Sequence, residues 1–171
     1  DKASEMSGES SRTTHGAVKC VEACRVFGGV LCRALAGMEK DAVLSGVHEA
    51  VMAGVTDPEL AMIARGAFVG KARDEVKGSG YVVASLEAAL WCFAVTGTYE
   101  EAVLMAANLG DDADTTAAIC GQVAGAFYGE SGIPDGWLEK LVAGPQIRRM
   151  AEELRMAVPR ELVSDEVRDL A

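Results

Sequence analysis

Between Asn108 and Gly129 the chain reads NLGDDADTTAAICGQVAGAFYG, with three carboxylates in four positions followed by almost nothing larger than isoleucine until Phe127. Gly110 ends one helical segment and DDADT opens another. Asp111 or Asp112 is therefore at the cap, and Asp114 and Thr115 fall in the first turn, where the helix dipole favours anions. Behind them Gly121, Gly125 and Gly129 recur every four residues among Ala117, Ala118, Ala124 and Ala126, a shallow ridge on which neighbouring helices pack closely. Composition agrees: half of the 171 residues are hydrophobic but only 5% are aromatic, so small aliphatic side chains must do most of the packing. That suits closely packed helices better than aromatic-rich strands. We expect an all-α fold, one helical domain over residues 1–171.

Acidic residues at a helix start are ordinary, and a solvated, carboxylate-rich cap is one reading of this cluster. Like charges about 4 Å apart repel by about 1 kcal/mol in water and about 4 kcal/mol at an effective dielectric near 20, so the crowding asks for a cation. Asp112, Asp114 and the Thr115 hydroxyl are hard oxygen donors that can converge at a cap, which suits magnesium or manganese. A calcium EF-hand is excluded: no glycine follows at the turn, and twelve positions along from Asp111 stands Gln122, not a bidentate glutamate.

Elsewhere the pattern predicts helices over Gly16–Ala36, with Lys19, Glu22, Arg25 and Arg33 in one stripe, and over Asp41–Ala53. TDPE at 56–59 caps a helix reaching Val69, Ser85–Val95 is apolar with Trp91 and Phe93, and Thr98 caps a helix ending at Asn108. Three more follow, over Ile133–Val142, Pro145–Ala157 and Pro159–Leu170. KARDEVKGSG, 71–80, is charged and glycine-ended, with the composition of a mobile loop joining two helical groups. The opening DKASEMSGESSR lacks an apolar stretch and reads as a polar tail or cut end, not a signal peptide. Five cysteines without a matching Cys/His pair read as buried structural thiols of a reducing cytoplasm. His48 receives no role.

Acids outnumber bases 26 to 16, giving a net charge of −10, and no basic face exists for a phosphate backbone; nucleic acid is not an expected partner. The longest uncharged run, Thr115–Gly129, is too short and too polar for a membrane span.

The segment NLGDDADTTAAICGQVAGAFYG resembles the C-terminal metal motif of the ADP-ribosylglycohydrolases. So do, in family order, SSRTTHG at 10–16, SGYVVASLEAALWCF at 79–93, TYEEAVLMAANLG at 98–110 and GIPDGWLEKL at 132–141. The resemblance covers about Ser10–Leu141. It implies a compact orthogonal array of helices holding two magnesium or manganese ions and hydrolysing the link between ADP-ribose and a protein side chain or small molecule. By motif position it makes Asp112, Asp114 and Thr115 metal ligands. Asp111, at a place the family often fills with glycine or asparagine, stands at most in support behind them. His15 would line the ADP-ribose cleft near the diphosphate, and Gly80 and Tyr81 would flank the adenosine. The bland alternatives are a histidine capping the next helix and a tyrosine in the core.

The family also has a catalytic glutamate and a Thr-Asp-Asp-Thr metal motif in its N-terminal half. Here the only Asp-Asp pair is Asp111-Asp112 and the only Thr-Asp is Thr56-Asp57, followed by proline. The expectation is a C-terminal half whose catalytic carboxylate is unknown within this chain and whose partner is an N-terminal half, possible as a separate chain. Its other partner is an ADP-ribosylated protein or ADP-ribose conjugate. The alternatives are a non-catalytic, metal-dependent ADP-ribose-binding member and a plain helical interaction module.

Overall fold

Nine of the fourteen residues of one helix, Val82–Val95, are buried, including Leu86, Leu90, Trp91 and Phe93, and the rest of the core is arranged around it. In a computed structural model of the chain, residues 2–45, 49–52 and 54–157 are described. Among them the elements are α1 (Lys2–Arg12), α2 (Val18–Leu35), α3 (Lys40–Leu44), α4 (Glu49–Met52), α5 (Pro58–Ala64), α6 (Val82–Val95), α7 (Tyr99–Ala107), α8 (Ala113–Tyr128), α9 (Asp135–Leu138) and α10 (Gly144–Ala157), with no strand. The all-α expectation is met. The chain divides into two compact units, residues 1–132 and 133–171. In the second, α9 is one turn long and stops before Val142, while Ala143 takes a positive φ of 61°. α10 presents Ile147, Met150 and Leu154 on its surface. The expected helix at Pro159–Leu170 and His48 lie outside the described residues.

In the first unit α6, α7 and α8 pack on one another, and α6 and α8 also pack on α2, which α1 in turn covers. Thr98 caps α7 as its sequence predicts, its hydroxyl accepting from Glu101 N (3.2 Å) while the Glu101 carboxylate accepts from Gly97 N (2.8 Å). α7 lies on the small-residue ridge of α8: a β-carbon at Gly121 would meet the Tyr99 hydroxyl at 3.4 Å, and one at Gly125 the Tyr99 ring at 3.8 Å. These are ordinary contact distances, so the ridge favours small residues without demanding glycine at each step.

Three expectations are corrected. The opening segment is not a tail but α1, whose Ser4, Gly8 and Ser11 are buried against α2. Ser4 Oγ donates to Arg25 O at 2.9 Å. This interface is built from small polar residues, which a hydrophobic pattern cannot reveal. The 71–80 loop is fastened at four points. Lys71 pairs with Glu87 (2.6 Å), the Trp91 indole donates to Lys71 O (3.0 Å), Arg73 donates to Leu109 O (3.3 Å), and Val76 is buried. Finally, the helix expected to reach Val69 ends at Ala64, because Gly66 turns the chain with φ 76°.

Candidate functional site

The start of α8 is locked in place by its neighbours. Asp112 N donates to Gly78 O (2.8 Å), and the fully buried Thr116 hydroxyl donates to Asp112 O (3.0 Å). Asp112 stands at the N-cap position, but its carboxylate makes no cap hydrogen bond and is left for other use. Asp111 precedes it with φ 57°, a left-handed conformation that favours glycine and asparagine, in accord with the residue types the family resemblance puts there. Asp114 and Thr115 lie in the exposed first turn.

A groove of about 1040 Å³ opens beside this turn. Its walls include His15, Gly80, Tyr81 and Thr115, so four of the residues singled out in sequence share one cavity. Asp112 adjoins it through Gly80: a β-carbon there would lie 3.0 Å from Asp112 Oδ2. Asp111 and Asp114 are not among the lining residues.

His15 hangs from a turn closed by its N–H to Ser11 O (2.7 Å) and by the Ser11 hydroxyl to His15 O (2.9 Å). It does not cap the following helix, whose N-cap is Ala17 with no side-chain cap bond. Tyr81 is not a core residue either: it is 47% exposed and opens α6. Cys20 and Cys24, expected to be buried, are half-buried and line the same groove; Cys32 is half-buried too, and only Cys92 and Cys120 are fully buried. Burial pushes the thiols of Cys92 and Cys120 up, to about 11 and about 12.

Lys19 was placed in a charged stripe but given no role in the sequence. Its ammonium bonds Asp57 Oδ2 (3.0 Å), Glu59 Oε2 (2.9 Å) and the Tyr81 hydroxyl (2.7 Å). Those three contacts, Tyr81 first, push its pKa above the ordinary lysine value. The hydrogen bond from Lys19 holds Asp57 below the usual carboxylate range. Glu22, in the same stripe, is buried at 4% exposure and accepts from the Thr56 hydroxyl (2.6 Å) and Asp57 N (2.9 Å). Burial pushes its carboxyl up, but these bonds outweigh it and leave the pKa lowered. No local sequence signal shows this pairing, which is tertiary and joins residues more than thirty positions apart.

As a metal-binding set, Asp112, Asp114 and Thr115 have the right chemistry, hard oxygens with one carboxylate uncommitted. Among the described residues, however, no group of three or more His, Cys, Asp or Glu gathers to enclose an ion. They fit as part of a coordination shell, not the whole of one.

The fold is all-helical among the described residues, and the groove is lined in part by the first turns of α8. Residues 1–162 match the family ADP-ribosylglycohydrolase, and the chain belongs to it. It is 40% identical over 144 residues to the ADP-ribosylarginine hydrolase Tri1 of Pseudomonas putida (strain GB-1), covering 84% of this chain and 38% of that protein. The corresponding protein of Serratia proteamaculans (strain 568) is 40% identical over 155 residues, 91% of this chain and 41% of its own length. The ADP-ribosyl-[dinitrogen reductase] glycohydrolase of Rhodospirillum rubrum is 40% identical over 80 residues, 46% and 27% respectively. A solved ADP-ribosylglycohydrolase-related protein complex superposes with a TM-score of 0.75 at 38% identity, covering 84% of this chain and 49% of that one. The chain thus spans less than half the length of each of these relatives.

Proposed function

We propose that the groove binds ADP-ribose and that the chain contributes this half of the site to a hydrolase of the bond between ADP-ribose and a modified side chain or small conjugate. The observation that carries the reading is the convergence of His15, Gly80, Tyr81 and Thr115 on one cavity of about 1040 Å³ with Asp112 beside it. The names of the relatives favour arginine as the modified side chain.

In this reading His15 donates to a phosphate oxygen and Tyr81 lies along the adenosine. Asp112, Asp114 and Thr115 give oxygen ligands to magnesium or manganese, two ions in the complete site. Bound there, such ions would polarise the ribose hydroxyls. The remaining ligands and the carboxylate that moves the proton of an attacking water come from residues outside this chain, on the same polypeptide or on a companion. The five free thiols support a reducing compartment, the cytoplasm. No helix among the described residues is long and apolar enough to cross a membrane.

The test is calorimetry of ADP-ribose binding with and without manganese, followed by hydrolysis of ADP-ribosylarginine once the rest of the family's length is supplied. Binding that manganese strengthens, with turnover on complementation, is expected. Binding without turnover would point to a non-catalytic ADP-ribose-binding member, and no binding in either form would sink the reading.

A further inference from the structure

A lysine ammonium has three N–H donors, and the structure uses all three of Lys19's, on Asp57, Glu59 and the hydroxyl of Tyr81. Each partner is anchored in turn. Asp57 caps α5 by accepting from Glu59 N (3.0 Å) and Leu60 N (3.2 Å), and its own N–H is held by the buried Glu22 carboxylate. Tyr81 is fixed at its backbone, where its carbonyl accepts from Ser85 N at 2.9 Å. Its hydroxyl has no other hydrogen-bond partner among the described residues.

Two consequences follow. Lys19 lines the groove but has no donor left for a ligand phosphate. Tyr81, whose oxygen accepts from the ammonium, keeps its own O–H proton to give away, and a bond accepted from a cation polarises that O–H further. We infer that Lys19 is a positioning residue: it fixes the Tyr81 ring at the rim of the groove and presents the Tyr81 hydroxyl as a donor to an oxygen of the bound ligand. The identity of that ligand rests on the ADP-ribose reading above; the positioning itself does not.

The experiment separates the two. The chain holds three tyrosines, so labelling with 3-fluorotyrosine gives three fluorine resonances, and that of Tyr81 is the one lost in Tyr81→Phe. In Lys19→Met the Tyr81 line narrows and shifts toward that of a free tyrosine while the Tyr99 and Tyr128 lines, which report the fold, stay in place. A Tyr81 line unchanged by the substitution overturns the inference whether or not any ligand binds. If Lys19→Met does not fold, Lys19→Gln, too short to reach the hydroxyl, is read in the same way. With ADP-ribose as the titrant, Lys19→Met and Tyr81→Phe each weaken binding about tenfold, and the double variant is no weaker than either. Losses that add in the double variant would show that Lys19 acts independently of Tyr81 and overturn the inference. Absence of ADP-ribose binding in the unmodified protein would instead remove the ligand assignment and leave the fluorine spectrum to decide on Lys19.

Discussion

A β-carbon at Gly80 would stand 3.0 Å from Oδ2 of Asp112, so the segment before α6 and the head of α8 meet where an added side chain would press on that carboxylate. Gly80→Ala therefore pushes on the carboxylate, not on the core, because Gly80 is exposed. We expect manganese and ADP-ribose affinity to fall about tenfold with the melting temperature almost unmoved. Calorimetry beside a thermal melt checks this; a large loss of stability with unchanged affinity would mean that the contact serves folding alone.

Most helices with a hydrophobic period or a capping signature were legible in the sequence, but the one expected over Asp41–Ala53 is interrupted after Leu44, where Ser45 is extended. Thr98 with Glu101, and Asp57 before Pro58, are local features whose partners lie within a few residues. What was not legible depends on contacts between distant segments. α1 is buried through Ser4, Gly8 and Ser11, residues that carry no hydrophobic signal, and Glu22 is buried because Thr56 and Asp57, more than thirty positions away, satisfy it. The site residues were reached through family motifs, but only folding brings His15 to the same groove as Gly80, Tyr81 and Thr115.

The α1–α2 contact makes its own prediction. A β-carbon at Gly28 would fall 2.3 Å from Ser7 Oγ and 2.9 Å from Ser7 Cβ, so rotating the serine hydroxyl does not relieve the clash. Gly28→Ala should cost about 1–3 kcal/mol, the usual range for overpacking, and expose α1 to limited proteolysis. Adding Ser7→Gly should recover part of that loss. If Gly28→Ala melts like the parent protein, α1 does not pack where the structure puts it.

Acid should weaken the α2–α5 junction. The folded pKa of Glu22 lies below its ordinary value of 4.5. The unfolded state therefore binds the proton first as pH falls. The stability contributed is fully present above pH 4.5 and is lost as pH drops through the lower, folded value. Asp57, also lowered, acts with the same sign and starts from 3.8. Glu22→Gln places an amide where two donors point, and should cost about 1–3 kcal/mol at neutral pH while flattening the acid limb of the stability curve. Urea titrations from pH 3 to pH 7, roughly the span over which carboxylates titrate, would show it. An equally steep acid limb in the variant would rule Glu22 out as its source.

At Asp111 backbone conformation and charge act in the same direction on the cap of α8. With φ at 57° the residue occupies a region that costs most L-residues on the order of 1–2 kcal/mol, less for Asp and Asn, and nothing for glycine. Its carboxylate also stands next to that of Asp112 in sequence, so removing it lowers the crowding of negative charge at the turn. Asp111→Gly and Asp111→Asn should accordingly match or exceed the parent protein in stability, whereas Asp111→Ala, which removes the charge but keeps a β-carbon and loses the polar side chain, should lose about 1 kcal/mol. If Asp111 instead serves as a metal ligand in its own right, both Asp111→Gly and Asp111→Asn would weaken manganese binding as strongly as Asp112→Asn does. Denaturant melts and manganese titrations on these variants together decide whether backbone conformation or coordination determines the residue at this position.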